Sequence, residues 1–182
     1  MAVAPREAGN GDDGQDWARD VGEVFRAHDI QLATYVPDAG LARLIDYCHA
    51  DETMTAAMLT TEEEGIGMIA GAWLGGQRGV LLMQSSGVGN CINTLSLITS
   101  CRMPFLSIVT MRGEWGEFNP WQVAMGQATQ ATLEASGVIV YRVDDASEMG
   151  ETVDAAARFV YDSTVPATVL LSQRAIGRKR WK

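Results

Sequence analysis

The chain has 182 residues, 47% of them hydrophobic, which is enough to bury a sizeable core, and it reads as one ordered domain over residues 15–182. Its formal net charge of −9 repels phosphate backbones and anionic lipid headgroups, so nucleic acid and membrane surfaces are poor partners and small molecules or another protein remain. There is no basic-then-apolar leader and no apolar run near the roughly 20 residues of a bilayer span. Cys48, Cys91 and Cys101 form an odd set without CxxC spacing, read as buried free thiols in a reducing cytoplasm.

Residues 1–14 are small, polar and glycine-rich and are expected to be disordered. The GDDG within them resembles a metal loop only superficially, because no apolar strand precedes it. Trp17, Val21, Val24 and Phe25 then recur at helical spacing over residues 16–28. Residues 31–36 read as a strand that Pro37 and Asp38 end, and Asp38 suits the N-cap of the next helix, whose stripe is Leu41, Leu44, Ile45 and Cys48. A strand over residues 54–59 leads to a helix over 62–74. The apolar run 79–83 has the composition of a buried parallel strand.

A polar, glycine-broken turn over residues 84–90 follows, then a helix to residue 100 and a strand over 105–110. Residues 111–122 (MRGEWGEFNPWQ) have no period and form a loop long enough to suggest function. Helix 123–135, strand 138–142, helix 147–161, strand 167–171 and a basic, exposed tail from Arg174 complete the chain. Six short apolar runs separated by helices predict a three-layer α/β/α fold around a six-stranded parallel sheet with right-handed crossovers.

Three features carry chemistry. Glu62, Glu63 and Glu64 open the 62–74 helix, where acids meet the positive end of the helix dipole, and Thr61 with Glu64 has the pattern of a capping box. The helix behind them holds Gly65, Gly67, Gly71, Gly75 and Gly76, although each interior glycine costs roughly 1 kcal/mol against alanine. Such a helix serves close approach by another backbone or a ligand. The second feature is the turn Gln84-Ser85-Ser86-Gly87-Val88-Gly89-Asn90, a phosphate cradle or a plain strand-to-helix turn; it lacks the third glycine of a dinucleotide fingerprint. The third is Trp115, Phe118 and Trp121 in the irregular loop, either a plug over the core or an exposed patch for a partner. His28 and His49 read as helix C-terminal residues favoured by the dipole, with no zinc spacing around them.

The motifs VPD at 36–38, EEEG-x-G at 62–67, AGAWLGG, MQSSGVGN at 83–90 and RGEWGEFNPWQ resemble, in that order, the pyrimidine-binding (PYR) domain of thiamine-diphosphate enzymes. The resemblance narrows to the sulfopyruvate and phosphonopyruvate decarboxylase group, and best to its separately encoded alpha chains. It covers nearly all of residues 16–182. It implies the PYR-domain fold and a carboxy-lyase that converts a 2-oxo acid, 3-sulfopyruvate first and phosphonopyruvate as the alternative, into an aldehyde and CO2. A non-catalytic binding or regulatory module that kept the fold is the other alternative.

In that family a glutamate at this helix start hydrogen-bonds N1′ of the cofactor's aminopyrimidine, and its imino form takes the proton from thiazolium C2 so that the ring can attack the 2-oxo carbon. Counting back from the small residue Gly71 gives Glu62, with Glu63 one register away. By the same resemblance, Gly65 and Ile66 face the ring and Gln84, Ser85, Ser86 and Gly87 form the pyrimidine wall. Pro37, Asp38, Gln84 and Arg112 lie toward the substrate. The family's Gly-Asp-Gly/Ser sequence for diphosphate and Mg2+ follows no strand here. The resemblance therefore implies a beta subunit that holds Mg2+ and the diphosphate, in a hetero-oligomer with at least two copies of each chain and the cofactor at their interface.

Overall fold

Strand composition decides the architecture. In the run Val80-Leu81-Leu82-Met83 every side chain is fully buried, and alternate residues enter opposite clusters, Val80 and Leu82 on one side, Leu81 and Met83 on the other. A strand apolar on both faces must lie inside a sheet covered by helices on both sides.

The computed structural model describes residues 16–177, so the expectations for residues 1–14 and for the end of the basic tail lie outside the described residues. In chain order the elements begin with α1 (Trp17–Ala27), β1 (Ile30–Tyr35), α2 (Ala42–Ala50), β2 (Thr55–Met58), α3 (Glu62–Leu74) and β3 (Arg78–Gln84). Next come α4 (Ser85–Cys91), α5 (Leu95–Cys101), β4 (Phe105–Thr110), a short 3-10 turn at Pro120–Gln122 and α6 (Val123–Ala135). The chain continues through β5 (Ile139–Val143), a second 3-10 turn at Ala146–Glu148, α7 (Met149–Ser163), β6 (Pro166–Leu171) and α8 (Gln173–Ile176). The six strands form one sheet in the order β2-β1-β3-β4-β6-β5, and every neighbouring pair is parallel.

Helices α1, α2 and α7 pack on one face through Phe25, Leu44 and Val160; α3 to α6 cover the other through Ile66, Ile69, Leu95 and Leu133. Each such side chain contributes roughly 1.5–3 kcal/mol when fully buried. Three hydroxyls sit inside this layering with their needs met: those of Ser107 and Thr168 bond across β4 and β6 at 2.6 Å, and that of Tyr161 donates to the Gly79 carbonyl at 2.9 Å.

From β1 the chain moves outward to β2, whereas from β3 it moves the other way to β4. The adjacent carboxyl ends of β1 and β3 therefore flank a switch point, where open parallel sheets place their ligands. Pro37 and Asp38 follow the end of β1, Ser85 and Ser86 that of β3, and Arg112 that of β4. Among the described residues no helix is long and apolar enough to cross a membrane.

Two local expectations are corrected. Residues 85–91 are helical rather than a turn, and the expected single helix to residue 100 is broken at 92–94 into α4 and α5. Cys101 is exposed, because α5 turns it away from the core, while Cys48 and Cys91 are buried.

Candidate active site

Glu62 occupies the first position of α3, after Thr61 in extended conformation (φ −146°, ψ 152°). Of the three acids Glu62 alone is buried, at 7% exposure, while Glu63 and Glu64 are open to solvent. The capping box is not formed as expected. Thr61 makes no side-chain cap, and the Glu64 carboxylate accepts instead from the backbone N–H of Thr60, at 2.8 Å.

The Glu62 side chain turns toward α4. Its Oε2 accepts from Asn90 Nδ2 at 2.8 Å, and Oε1 accepts no hydrogen bond from the described residues. A carboxylate in so closed a position is tolerated only when a donor meets it. Gly87 makes the space: a Cβ there would lie 2.5 Å from Cγ, Cδ and Oε1 of Glu62. On α4's other side, a Cβ on Gly89 would press on Met125 at 3.3 Å. Both glycines weaken α4 by roughly 1 kcal/mol each against alanine, and the close approaches explain why the helix carries them.

Beside Glu62, burial first, then the Glu62 and Glu63 charges, push the Cys91 thiol up to about 12. A thiol held protonated in this way is not a nucleophile.

The ends of β1, β3 and β4 are joined by one polar network around Asp38. Its Oδ1 accepts from Gln84 Nε2 at 2.9 Å, and its Oδ2 from Thr110 Oγ1 at 2.8 Å and from the Gly40 N–H at 2.9 Å. Gln84 in turn accepts from the Ser86 hydroxyl at 2.8 Å, so both ends of its amide are fixed. Asp38 also lines an open cavity of about 450 Å3 with Tyr35, Pro37, Ile45, Asp46 and His49.

Other predicted residues serve the scaffold. Ser85 is fully buried, and its Oγ accepts from the Arg112 N–H at 3.1 Å, which ties the end of β3 to the loop after β4. Gly65 and Ile66 turn toward the sheet: a Cβ on Gly65 would meet Leu81 at 2.6 Å and Thr34 Oγ1 at 2.9 Å, and Ile66 is fully buried. Their side of α3 sets how closely Glu62's helix approaches the strands.

Arg112 is 8% exposed, and its guanidinium grips Glu117 through Nε at 2.7 Å and Nη2 at 2.6 Å. That grip, ahead of the backbone donors Asn119 and Gly113 and the amide of Gln173, holds the Glu117 carboxyl down at about 2. The pair orders the 111–122 loop, which presents Trp115, Phe118 and Trp121 at 42%, 40% and 84% exposure, a surface patch rather than a plug. Arg112 also lies over the Phe118 ring at 5.7 Å, and Arg174, exposed as expected, lies over Trp115 at 5.6 Å.

Both histidines sit at helix ends as expected, and both have partners. His28 Nε2 meets Asp154 at 2.8 Å and His49 Nε2 meets the Tyr35 hydroxyl at 2.7 Å. Among the described residues no three His, Cys, Asp or Glu side chains converge on a metal position. Asn90, Thr110 and Glu117 were missed by the sequence reading. Asn90 carried a usable signal, because it stands three residues after Gly87 and so shares its helix face.

No family model matches the sequence. The chain is 34% identical over 143 residues to sulfopyruvate decarboxylase subunit alpha of Methanococcus maripaludis, covering 78% of this chain and 86% of that one. It is 32% identical to the protein of the same name from Methanocaldococcus jannaschii, covering 81% and 88%. The sulfopyruvate decarboxylase of Methanosarcina acetivorans is 29% identical over 84% of this chain, which matches only 39% of that longer protein. Among solved structures, 2-oxoglutarate:ferredoxin oxidoreductase from Magnetococcus marinus, with 2-oxoglutarate, coenzyme A and succinyl-CoA bound, superposes with a TM-score of 0.73 at 15% identity. The overlap covers 89% of this chain and 29% of that one, a likeness of fold alone. The alpha-subunit matches span most of both partners at over 30% identity, and on that ground the chain belongs to the sulfopyruvate decarboxylase alpha-subunit family.

Proposed function

We propose that the chain is the pyrimidine-binding subunit of a thiamine-diphosphate-dependent 2-oxo acid decarboxylase that converts 3-sulfopyruvate into sulfoacetaldehyde and CO2. The single observation that carries the reading is Glu62, a buried carboxylate at a helix start beside the switch point, with one oxygen held and the other without a donor among the described residues. The donor set fits the pyrimidine end of the cofactor and not its diphosphate end. A carboxylate suits a ring nitrogen that must gain and lose a proton, whereas no metal-binding cluster is found among the described residues.

When bound, thiamine diphosphate supplies the electron sink for loss of CO2 from a 2-oxo acid. Glu62 holds the proton at N1′ of the pyrimidine through Oε1. Gln84, Ser86 and Gly87 would hold the pyrimidine from the side of β3, Gln84 being locked between Asp38 and Ser86. Ser85, Gly65 and Ile66 act through the backbone, fixing α4 and α3 against the sheet. Pro37 and Asp38 shape the substrate side, where three donors orient the Asp38 carboxylate. Arg112 is the loop's anchor, its guanidinium on Glu117.

A separate beta chain supplies Mg2+ and the diphosphate site, in a cytoplasmic hetero-oligomer with at least two copies of each chain. Its length relation to the Methanosarcina acetivorans protein supports this, since that longer chain has room for both halves. The docking face we assign it is the outer side of the helix layer beside Glu62. There Gly67 and Gly71 have open space above them, and Met68, Leu74, Ile92 and Trp121 are exposed at 41%, 77%, 49% and 84%.

The test is a substrate panel on the reconstituted complex. CO2 release should be fastest, at limiting concentration, from 3-sulfopyruvate; preference for phosphonopyruvate or for a 2-oxo acid without an acidic tail overturns the substrate assignment.

A further inference from the structure

We infer that Asn90 is the positioning residue for Glu62. It fixes which carboxylate oxygen is presented to the cofactor's ring, and Gly87 is the gap that lets the carboxylate lie there; the inference rests on the role of Glu62 proposed above. Residues 87 and 90 are three apart on α4 and so share one face, the face that meets the start of α3. At Gly87 a Cβ would fall 2.5 Å from the carboxylate, so the side chain of Glu62 occupies the space that any other residue would fill.

Asn90 then closes the arrangement from one side. Its Nδ2 donates to Oε2 at 2.8 Å, and Oε1 accepts nothing from the described residues. An amide nitrogen can only donate. It therefore fixes a carboxylate without neutralising it, whereas a lysine or arginine there would form an ion pair that competes with the ring. An aspartate would set two like charges within hydrogen-bond distance.

A glutamate has three rotatable bonds and loses substantial freedom when held in one rotamer. Asn90 removes that freedom before the cofactor arrives, which is the difference between a carboxylate near a ring nitrogen and one aimed at it. The same geometry separates the neighbouring acids: Glu63 is exposed and, among the described residues, has no equivalent of Asn90 or Gly87.

The experiment compares Asn90→Ala and Asn90→Asp in two backgrounds, wild type and Glu62→Ala, each reconstituted with the partner chain. The readouts are kcat for decarboxylation, calorimetric affinity for thiamine diphosphate with Mg2+, and melting temperature. In the wild-type background either change should lower kcat about 10- to 100-fold, the loss that follows removal of a hydrogen bond to a charged group. Cofactor affinity should also fall while the complex still assembles. In the Glu62→Ala background, with no carboxylate left to aim, the same changes should alter cofactor affinity by less than about threefold.

Equal losses in both backgrounds would make Asn90 a merely structural residue and overturn the inference, as would a silent Asn90→Ala beside a crippled Glu62→Ala. If Glu62→Ala itself keeps wild-type activity and affinity, the role of Glu62 falls and takes Asn90 with it. Asn90→Asp preserves side-chain size and carries the test if Asn90→Ala does not fold.

Discussion

Replacing Glu117 by glutamine removes the negative charge and one of the two acceptor oxygens at the centre of the 111–122 loop. The carboxylate receives two bonds from Arg112 at 2.6 and 2.7 Å, three from the backbone N–H groups of Gly113, Phe118 and Asn119 at 3.2, 3.1 and 3.0 Å, and one from Gln173 at 2.9 Å. These donors hold its carboxyl at about 2 instead of the ordinary 4.5. That depression is equivalent to about 3 kcal/mol of stability at neutral pH. Because the folded value is the lower one, the contribution is complete above about pH 4.5 and is lost as pH falls toward 2.

Glutamine also leaves the Arg112 guanidinium, whose side chain is 9% exposed, without its charge partner; breaking a buried pair costs about 3–5 kcal/mol. Urea unfolding of wild type and Glu117→Gln should therefore differ by about 3 kcal/mol at pH 7, shrinking to about 1 kcal/mol near pH 3. A variant within 1 kcal/mol of wild type at pH 7, or a gap that widens in acid, would refute the clamp. It would also favour the expected place of Arg112 on the substrate side.

In the reconstituted enzyme, Glu62→Gln should remove most turnover with assembly intact, while Glu63→Gln should stay within about threefold of wild type; the opposite ranking in steady-state assays would move the ring contact by one residue. Gly67→Ala and Gly71→Ala meet open space, so each should stabilise the isolated chain by up to about 1 kcal/mol in urea titration. The same two changes should weaken partner binding by sedimentation if α3 is approached closely there. Unchanged binding would take that face away from the partner. Tyr161→Phe leaves the Gly79 carbonyl without the donor it has at 2.9 Å and should cost about 1–2 kcal/mol, with kcat unaffected.

Much of the fold was legible because the strands carry a simple signal. The apolar run of β3 and the helices on either side of it specify a covered parallel strand, and the short exposed β2 shows why its ends were harder to place: its burial is only partial throughout. What misled was glycine. Gly87 and Gly89 argue locally for a turn, yet α4 forms because tertiary contacts with Glu62 and Met125 outweigh their cost in helix propensity.

The pairings were hidden for a different reason. Glu62 and Asn90 are 28 residues apart, and Asp38 and Thr110 are 72 apart, separations that no helical or strand period reports. Arg112 looked available beside a loop, and only the folded loop shows Glu117 returning to meet it. Counting back from Gly71 already favours Glu62 over Glu63; what the sequence does not show is that Glu62 is buried against Gly87 and Asn90 while Glu63 is exposed.

The central claim is that this chain holds one half of a shared site. The most direct measurement is CO2 release from 3-sulfopyruvate, with thiamine diphosphate and Mg2+ present, by the purified chain alone and after addition of the beta chain. No turnover alone and robust turnover on mixing is the predicted result; robust turnover by the lone chain would contradict it.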